Sequence, residues 1–515
     1  MKKIFTFLSL LLFLVFAATS PCKSQPGTLD HSFNQKGFVT DSVILPQKNM
    51  QGRAIVTQPD GKILVSAVIY LPTNKTRIYR YNENGSPDQG FGSHGILELD
   101  FNSGTFIEYL ALQPDGKIIG AGSGITAGGL TLWTVIRLNP DGSYDTSFGT
   151  GGVVETIFYG STEVAHCARV LPGGMLLVSG MAKNTNTGVA EFFLVRYKAD
   201  GALDPTFGTE GITRYVTPGG AGFARTTVCL QSDGRIVLGG FRNFAGNFAK
   251  YTMMRFSPDG ILDTSFGNNG LVIDSLGIEY VSYSFTIQPD DKIVVPGMTY
   301  FTGPNNPHAC ASRYLADGAI DLSFADQGHY IGDLGFFLMA EVQPDGKIIA
   351  AGRLLADSTI RTPVVCRLLP SGLPDPDFGN NGFFLLEETL PGSLFSISLD
   401  RQGKIVTSGT CNENSTSGYH LNLLRLNSFA TGADEMVNEP LIQLTPNPVI
   451  DHVTIRLNEP GQFKLTLWSI DGKQVHESEL TQKTTAMDLG FLKPGVYFIR
   501  VNSPYALKTA KLVKL

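Results

Sequence analysis

Short apolar runs separated by turns rich in glycine, proline and aspartate make up most of this chain. A typical run, Ile348 to Gly352, follows Gln343-Pro344-Asp345-Gly346-Lys347 and is apolar at consecutive positions. Such a run predicts a β-strand covered on both faces, and an Asp-Gly pair before it is typical of a hairpin turn. No apolar period of 3.6 residues persists through a whole unit, which argues against stacked helices.

The turn and the strand after it recur along the chain. The copies begin at Gln58, Gln113, Leu171, Gln231, Gln288, Gln343 and Asp400, and the third and last copies are diverged. The regular Asp-Gly pairs include Asp60 and Gly61, Asp115 and Gly116, Asp233 and Gly234, and Asp345 and Gly346. We interpret these residues as structural, because aspartate caps its own backbone and glycine adopts the positive φ that the turn needs. A ring of carboxylates that holds Ca²⁺ or carries out catalysis is the alternative.

Two further motifs share this period. Gly-x-Leu-Asp-x-Ser-Phe-Gly or a diverged form of it ends at the phenylalanines Phe33, Phe91, Phe148, Phe207, Phe266, Phe324 and Phe378. An arginine followed by an aromatic residue or leucine stands at Arg80, Arg137, Arg196, Arg255, Arg313, Arg367 and Arg425. These arginines are interpreted as a repeated contact between units or at strand ends, with ligand binding as the alternative.

Each unit accommodates four short strands, which is the content of a propeller blade, whereas a β-solenoid coil would be shorter, on the order of 20–30 residues. The sequence therefore predicts an all-β fold: a seven-bladed β-propeller of four-stranded blades over residues 27–427, followed by a small β-sandwich. No Leu-Asp-x-Ser-Phe-Gly copy follows Arg425, and the spare copy lies at Leu29 to Phe33. We expect residues 27–41 to close the last blade, built from 394–427, because this pairing leaves no open sheet edge.

The tail has a different pattern. Residues 428–440 have the composition of a linker, and alternating runs such as Val453 to Leu457 and Gly495 to Val501 follow it. They predict six or seven strands, and hence a β-sandwich, over residues 441–515.

Both parts resemble known families. The motifs of residues 27–427 resemble the delta-60 repeat of bacterial secreted proteins, and their layout is similar to NHL-type propeller repeats. That likeness implies that the strand before each Asp-Gly turn lies nearest the propeller axis. The third copy departs from the pattern, because Pro172-Gly173-Gly174 replaces Pro-Asp-Gly.

The tail resembles the type A C-terminal sorting domain of the Bacteroidetes type IX secretion system. The residues that carry this likeness are Pro446, Asn447, Pro448, Asp471, Gly472, Lys473, Gly495, Tyr497, Lys511 and Lys514. The resemblance implies export in two steps, the outer-membrane secretion machinery and its sortase-like peptidase as partners, and release or attachment at the outer surface of a Gram-negative bacterium. An accessory sandwich without a sorting role is the alternative.

Residues 1–25 predict a signal peptide, since Lys2 and Lys3 precede an apolar stretch from Ile4 to Ala18. We place its cleavage between residues 18 and 25. A retained anchor helix and a lipoprotein modified at Cys22 are the alternatives. No second apolar stretch is long enough to span a membrane, so the mature chain is expected to have no transmembrane span.

Charge and residue chemistry narrow the function. The net charge is −6 without a basic run, which argues against nucleic acid as a partner. Five cysteines follow the predicted signal peptide, an odd number without a CxxC pair, so neither a disulfide framework nor a zinc site is expected. The histidines form no HxH or HExxH motif, and no nucleophile elbow or phosphate loop occurs. We therefore predict no catalytic residue, no metal site and no cofactor.

Two functions fit these observations. The first is a secreted or cell-surface, non-catalytic binding module for an extracellular glycan or protein. The second is a secreted propeller enzyme acting on polysaccharide, a lyase or hydrolase, which would bring unrepeated acids, histidines or tyrosines together at the axial mouth. The candidate binding loops are the unrepeated ones, at residues 72–77, 183–191, 242–250, 300–309 and 412–420.

Overall fold

The computed structural model describes the repeats and most of the tail. The described residues are 25–40, 49–70, 75–99, 104–216, 220–244, 249–274, 276–301, 306–355, 361–386, 391–411, 420–429, 442–445, 449–457, 463–469, 473–480, 482, 484–502 and 507–514. The predicted signal peptide, except Gln25, and most of the predicted linker lie outside this set. The chain folds into β-strands throughout these ranges, which confirms the all-β prediction. Among the same residues, no helix is long and apolar enough to cross a membrane.

The repeats form antiparallel sheets whose strands follow one another in chain order. The first strand, β1 (Phe38–Thr40), stands apart and joins the last of these sheets. The next four sheets are β2 (Asn49–Thr57), β3 (Ile63–Tyr70), β4 (Lys75–Tyr81) and β5 (Ile96–Glu98); β6 (Gly104–Leu112), β7 (Ile118–Ile125), β8 (Thr131–Leu138) and β9 (Val153–Thr156); β10 (Glu163–Val170), β11 (Leu176–Lys183), β12 (Ala190–Tyr197) and β13 (Ile212–Tyr215); and β14 (Gly220–Leu230), β15 (Ile236–Phe244), β16 (Ala249–Phe256) and β17 (Leu271–Asp274).

The remaining repeats contain one long shared strand. β18 (Glu279–Val281) and β19 (Thr286–Ile287) both pair with β20 (Ile293–Tyr300), which is followed by β21 (Pro307–Tyr314) and β22 (His329–Val342). β22 continues into the pairing with β23 (Ile348–Leu355), β24 (Arg361–Leu368) and β25 (Phe383–Leu385), so these strands form one eight-stranded sheet. The last sheet consists of β26 (Gly392–Leu399), β27 (Ile405–Cys411), β28 (His420–Leu426) and β1.

The first two strands of each unit are joined by the repeated turn. At the first copy, the Oδ1 atom of Asp60 accepts a hydrogen bond from the backbone N–H of Lys62 at 3.1 Å, and Gly61 has φ of 89°. Asp115, Asp233 and Asp345 make the same bond, and Gly116, Gly234 and Gly346 have φ of 85°, 84° and 81°. The third copy forms a 3₁₀ turn at Pro172–Gly174 instead, with both glycines at positive φ.

A repeated arginine connects each unit to the next. The Nε of Arg137 donates to Oδ2 of Asp145 at 2.6 Å, and its Nη1 donates to the carbonyl oxygen of Ala199 in the following sheet. The guanidinium carbon lies 4.6 Å from the ring centre of Phe148. We call this set of contacts the arginine clasp. It recurs at Arg80, Arg196, Arg255, Arg313, Arg367 and Arg425.

The phenylalanine of each clasp packs against a glycine turn of the following unit. Phe148 is fully buried, and a Cβ atom added to Gly201 would lie 3.1 Å from its ring. Gly201 also has φ of 89°, so both conformation and space require glycine there. The other clasp phenylalanines are equally buried, among them Phe33, Phe207, Phe266 and Phe324.

The start of the chain completes the last sheet. β1 pairs with β28, with Phe38 opposite Leu424. The N–H of Gly27 donates to the carbonyl oxygen of Asn427 at 2.7 Å, and the N–H of Asp30 donates to that of Arg425 at 2.9 Å. The residues that precede the first repeat therefore supply the fourth strand of the last one.

The tail forms two sheets around a core of its own. Its strands are β29 (Ile442–Thr445), β30 (His452–Leu457), β31 (Phe463–Ser469), β32 (Gln474–Leu480), β33 (Thr484–Asp488), β34 (Gly495–Asn502) and β35 (Leu507–Lys514). The sheet orders are β29-β30-β33 and β32-β31-β34-β35. Val453 and Ile455 of one sheet are buried in the same cluster as Leu465, Ile499 and Leu512 of the other, which makes the tail a β-sandwich.

Candidate functional site

The first strand of every repeat lines a central channel. A cavity of about 230 Å³ lies there, and its walls come from β2, β6, β10, β14, the segment from β18 to β19, β22 and β26. These are the strands that precede the turn, so the innermost position that the resemblance implied for them is the observed one. The channel is the place where residues from all repeats meet.

The inner strands are irregular at corresponding positions, and the irregularity determines which side chains face the channel. In β2, β6 and β10 the register shifts at Arg53, Glu108 and His166, so each is the extra residue of a β-bulge. In β14 the shift includes Arg225. A bulge re-aims one side chain without ending the sheet. All four residues line the cavity, and we call this group, together with Tyr283, the channel mouth.

Tyr283 reaches the channel mouth because its strand is interrupted. β18 ends at Val281 and β19 starts at Thr286, and both pair with β20. Pro296 of β20 lies opposite this break, and its carbonyl oxygen accepts a hydrogen bond from the Ser282 hydroxyl at 2.5 Å. Proline has no N–H to continue the ladder, so the inner strand separates there. The freed segment places Tyr283 at the cavity, with its ring 5.3 Å from that of Phe241.

The ionisable groups at the channel mouth influence one another. Nη2 of Arg225 lies 3.5 Å from Oε2 of Glu108. Burial raises the pKa of Glu108, but the charge of Arg225 and its neighbours outweighs burial and the pKa is lowered. Burial lowers the pKa of His166 to about 4, and its Nδ1 accepts a hydrogen bond from the N–H of Thr226 at 3.2 Å. At neutral pH the mouth therefore holds an ionised Glu108 beside a neutral His166.

Arg53 also occupies the mouth, and no carboxylate of the described residues lies within ion-pair distance of it. Its Nη2 donates to the hydroxyl of Tyr70 at 2.5 Å, and its guanidinium carbon lies 5.7 Å from the ring centre of Phe395. Its Nε is buried and makes no hydrogen bond within the described part of the chain. The head group is thus held by neutral groups and retains hydrogen-bonding capacity.

A second group of polar side chains lines the channel from the inner strands, at the position two residues before each repeated turn. Arg169 donates from Nη2 to Sγ of Cys229 at 3.1 Å and from Nη1 to the hydroxyl of Tyr109. Glu341 lines the same cavity. Burial raises the pKa of Glu341 to about 7, although the charge of Arg169 opposes the increase. A channel near neutral pH therefore contains a permanent cation beside a carboxyl group that is partly protonated.

The described residues contain no cluster of three or more histidine, cysteine or acidic side chains arranged for a metal ion. The five cysteines Cys167, Cys229, Cys310, Cys366 and Cys411 are buried thiols. The groups that the channel offers are guanidinium N–H donors, hydroxyls, one imidazole and two carboxyl groups. This set suits the recognition of a polar or anionic ligand.

Four of the five predicted binding loops lie partly outside the described residues, which leave out 72–74, 245–248, 302–305 and 412–419. Loop 183–191 is described, and there Glu191 is buried and receives hydrogen bonds from Tyr159 at 2.6 Å, Asn184 at 3.2 Å and Arg214 at 2.7 Å. These bonds satisfy Glu191 internally, so this part of the loop is structural.

The predicted repeat residues are not in the channel. The aspartates of the repeated turns bond to their own backbone, and the phenylalanines belong to the arginine clasp.

Sequence reasoning missed the residues of the channel mouth, although a signal for them exists. When the copies are aligned on the first residue of the turn, the position five residues earlier holds Arg53, Glu108, His166, Thr226, Tyr283, Leu338 and Phe395. No two of these are alike. The position two residues before the turn varies as widely, and it holds Val56, Ala111, Arg169, Cys229, Thr286, Glu341 and Ser398. The two positions that vary most within the repeated strand therefore mark the channel, while Arg225 stands one residue before the first of them.

The sorting residues of the tail are only partly within the described ranges. Pro446, Asn447, Pro448, Asp471 and Gly472 lie outside them. Gly495 begins β34, and the hydroxyl of Tyr497 donates to the carbonyl oxygen of Lys493 at 2.9 Å. The carbonyl oxygen of Lys473 accepts from the N–H of Ser469 at 2.9 Å. Lys511 lies in β35, and Nζ of Lys514 is 3.3 Å from Asp451 and also donates to the carbonyl oxygen of Ile450.

Two family models match this chain. A secretion system C-terminal sorting domain matches residues 443–515. A β-propeller domain of unknown function, DUF5122, matches residues 58–91, 113–148, 172–207, 231–266, 288–324 and 343–378. The chain carries DUF5122 β-propeller repeats and a secretion-system sorting tail. The DUF5122 matches begin at or next to the first six turn copies, and the seventh copy, at Asp400, lies beyond them. The sorting tail directs export through type IX secretion to the cell surface or the extracellular space, so the DUF5122 propeller is a secreted surface protein.

Solved structures resemble the DUF5122 propeller only distantly. A protein of unknown function from Dyadobacter fermentans is 11% identical, covers 76% of this chain and 99% of its own, and has a TM-score of 0.43. PorZ, a surface component of the type IX secretion system of Porphyromonas gingivalis, is 10% identical and has a TM-score of 0.23. The match covers 90% of this chain and 81% of PorZ. The polysaccharide lyase Uly1 is 12% identical and has a TM-score of 0.42. The match covers 79% of this chain and 98% of Uly1. No curated protein matches the chain in sequence.

Proposed function

We propose that this protein is a non-catalytic binding module of the cell surface and that its ligand, an extracellular glycan or protein, binds at the channel mouth. The observation that carries the proposal is the set of unlike side chains at the bulges of the inner strands. A repeated scaffold has no structural need for arginine, glutamate, histidine and tyrosine at one position of its first, second, third and fifth copies. A single ligand bound across the axis needs a different group from each side.

The repeated polar residues support the proposal by contrast. The arginine clasps and the aspartates of the turns are satisfied by neighbouring strands and by their own backbone, and each occurs in nearly every unit. Their hydrogen-bonding capacity is used within the scaffold. The capacity that remains for a ligand is therefore concentrated in the channel, where Arg53 and Tyr283 line the cavity.

A secreted enzyme acting on polysaccharide, a lyase or hydrolase, is the second candidate. It is favoured by the presence of Glu108, His166 and Tyr283 in one cavity, since these are residue types used in general acid–base catalysis. Against it, Arg225 holds the pKa of Glu108 low, and burial holds that of His166 near 4. Neither of these two groups is tuned for proton transfer at neutral pH, so an enzyme would have to use Glu341, whose pKa burial raises to about 7. We favour binding because the unlike side chains of the channel stand in contrast to the repeated, internally satisfied ones.

The domain arrangement that we propose follows the repeats. The eight-stranded sheet counts as two blades joined by β22, which with the other sheets gives a seven-bladed propeller over residues 27–427. Residues 1–25 form a signal peptide, 428–440 a linker and 441–515 the sorting domain, which the type IX machinery recognises and its sortase-like peptidase removes.

A binding screen tests the proposal. The secreted protein is applied to an array of bacterial and algal glycans and to extracellular proteins, and hits are measured again with the double variant Arg53→Ala/Tyr283→Ala. We expect binding to fall at least about tenfold in the variant while its melting temperature stays close to wild type. Unchanged binding would place the ligand elsewhere. Product release from a bound polysaccharide would favour the enzyme.

A further inference from the structure

The channel has more positive than negative charge, although the whole chain is acidic. Arg53, Arg169 and Arg225 line it, against Glu108 and Glu341. Of the three arginines, only Arg225 has a carboxylate within ion-pair distance among the described residues. His166 is neutral at pH 7, because burial lowers its pKa to about 4. The excess positive charge is enclosed by neutral walls, where it acts on a bound group more strongly than on the surface.

The two arginines without a carboxylate partner are held in place by neutral groups. The Arg53 guanidinium is held by Tyr70, whose hydroxyl also donates to Oε1 of Gln51 at 3.1 Å. That of Arg169 lies 5.4 Å from the ring centre of Tyr109 and bonds to Cys229. A planar guanidinium that is positioned in advance loses little conformational entropy when it binds a carboxylate or sulfate through two parallel N–H donors.

The remaining lining suits a sugar ring. The hydroxyl-bearing residues Ser396, Ser398, Thr227 and Thr286 line the same cavity, and Tyr283 contributes both a hydroxyl and an aromatic face. Sugar hydroxyls pair with such donors and acceptors, and the apolar C–H face of a pyranose packs on an aromatic ring. The cavity, about 230 Å³, is smaller than typical drug-sized sites of roughly 300–1,000 Å³, so it fits one unit of a chain rather than a folded partner.

We infer that one residue of an acidic glycan enters the channel mouth, where Arg53 and Arg225 bind its carboxylate or sulfate group. The inference rests on the proposed function and adds the chemical class of the ligand. Two charged groups on successive sugars would also allow Arg169 to bind deeper in the channel.

Binding of defined oligosaccharides by calorimetry tests the inference. The probes are an oligogalacturonate, a sulfated galactan oligosaccharide, a neutral galactan oligosaccharide of equal length, and poly-glutamate. We expect at least one acidic oligosaccharide to bind about tenfold or more tightly than the neutral one, because a charge-assisted bond is lost in the latter. A preference between uronate and sulfate identifies the anionic group.

Two variants locate the effect. Arg53→Gln removes a cation that has no carboxylate partner and should weaken acidic binding about tenfold. Arg235→Gln is the matched control, because that side chain is about half exposed and pairs with Asp233 at 3.4 Å in a repeated turn. Its affinity should remain within about twofold of wild type.

The outcomes separate the inference from the proposed function. Equal channel-dependent binding of the neutral oligosaccharide overturns the acidic class but leaves the binding module intact. Equal channel-dependent binding of poly-glutamate overturns the glycan class. If no probe and no array ligand depends on Arg53, both the inference and the proposed function are wrong.

Discussion

Arg425 and Asp30 form a buried ion pair although 395 residues separate them in sequence. Nε of Arg425 is 2.7 Å from Oδ2 of Asp30, and Nζ of Lys404 is 2.8 Å from the same oxygen. The Nη1 of Arg425 donates to the carbonyl oxygen of Glu83, in the turn that follows β4 of the first complete sheet, at 2.5 Å. One carboxylate from the start of the chain is thus held by the last sheet, and the same arginine connects that sheet to the first.

This pair predicts a large effect of a small substitution. Asp30→Asn removes the negative charge that pairs with the buried Arg425 and the partly exposed Lys404, so we expect the free energy of unfolding to fall by about 3–5 kcal/mol in urea titrations. Asp60→Asn is the control. It changes an exposed aspartate of a repeated turn and should cost no more than about 1 kcal/mol. Equal effects of the two variants would show that the long-range pair has no special role.

Deletion of residues 27–41 tests whether the start of the chain also stabilises the last sheet through its backbone pairing. A chain lacking residues 27–41 loses the pairing of β1 with β28 and leaves an open edge in the last sheet. We expect a broader denaturant transition at lower urea, followed by circular dichroism. A truncated chain with the midpoint of the full one would contradict closure by these residues.

Acid should destabilise the propeller through its clasp aspartates. Burial raises the pKa of Asp30, but hydrogen bonds from Lys404 and Ser32 and the charge of Arg425 outweigh it, and the pKa is about 2. The folded state therefore binds this proton less readily than the unfolded chain, and the stabilisation is lost as pH falls from about 4 toward 2. The pKa values of Asp204 and Asp375 are also lowered. Melting temperatures from pH 5 to 2 should fall less steeply for Asp30→Asn than for wild type, and parallel curves would argue against this assignment.

The clasp arginines should not tolerate lysine. Arg137 donates through separate nitrogens to Asp145, to Ala199 and, at 3.1 Å, to Ser147. A lysine has one nitrogen and cannot reach all three, so Arg137→Lys should cost about 2 kcal/mol of unfolding free energy. Arg235→Lys, at an exposed turn, should cost less than about 0.5 kcal/mol. A similar small loss in both would mean that charge alone matters at the clasp.

The acidic ligand should bind more weakly as pH rises through 7. Glu341 has a pKa of about 7 and faces Arg169, while Glu108 and His166 titrate well below this range. Deprotonation of Glu341 adds a negative charge to the channel, and we expect affinity to fall about fivefold from pH 6 to 8. Glu341→Gln should remove this slope in calorimetry at constant ionic strength. The same slope in the variant would assign the titration to another group.

The tail should act independently of the propeller. Residues 441–515 fused to a periplasmic reporter should send the reporter to the surface or medium of a host with type IX secretion. The control fusion lacks residues 507–515, the segment that contains β35, which removes the pairing with β34 and the contact of Lys514 with Asp451. Detection of both reporters in the periplasm would contradict a sorting role.

Local patterns were sufficient for much of the fold. The Asp-Gly turns, the doubly covered strands after them and the sorting motifs depend on neighbouring residues, so they are legible from the sequence, and the all-β propeller prediction is confirmed. We expected residues 27–41 to supply the fourth strand of the last blade only because no Leu-Asp-x-Ser-Phe-Gly copy follows Arg425. The clasp was only partly foreseen. Its arginines were expected to connect units, but the pairing of Arg137 with Asp145 and the carbonyl oxygen of Ala199 was not.

The chain by itself determined the repeat, the turn chemistry and the route of export, because each depends on residues close together in sequence. Only the tertiary structure decided the candidate site. Arg53, Glu108, His166, Arg225 and Tyr283 lie tens to hundreds of residues apart. They meet because the first strand of each unit faces one axis and because bulges and Pro296 turn single side chains toward it. Such a meeting has no local sequence pattern, since it depends on the closure of all the sheets around one channel.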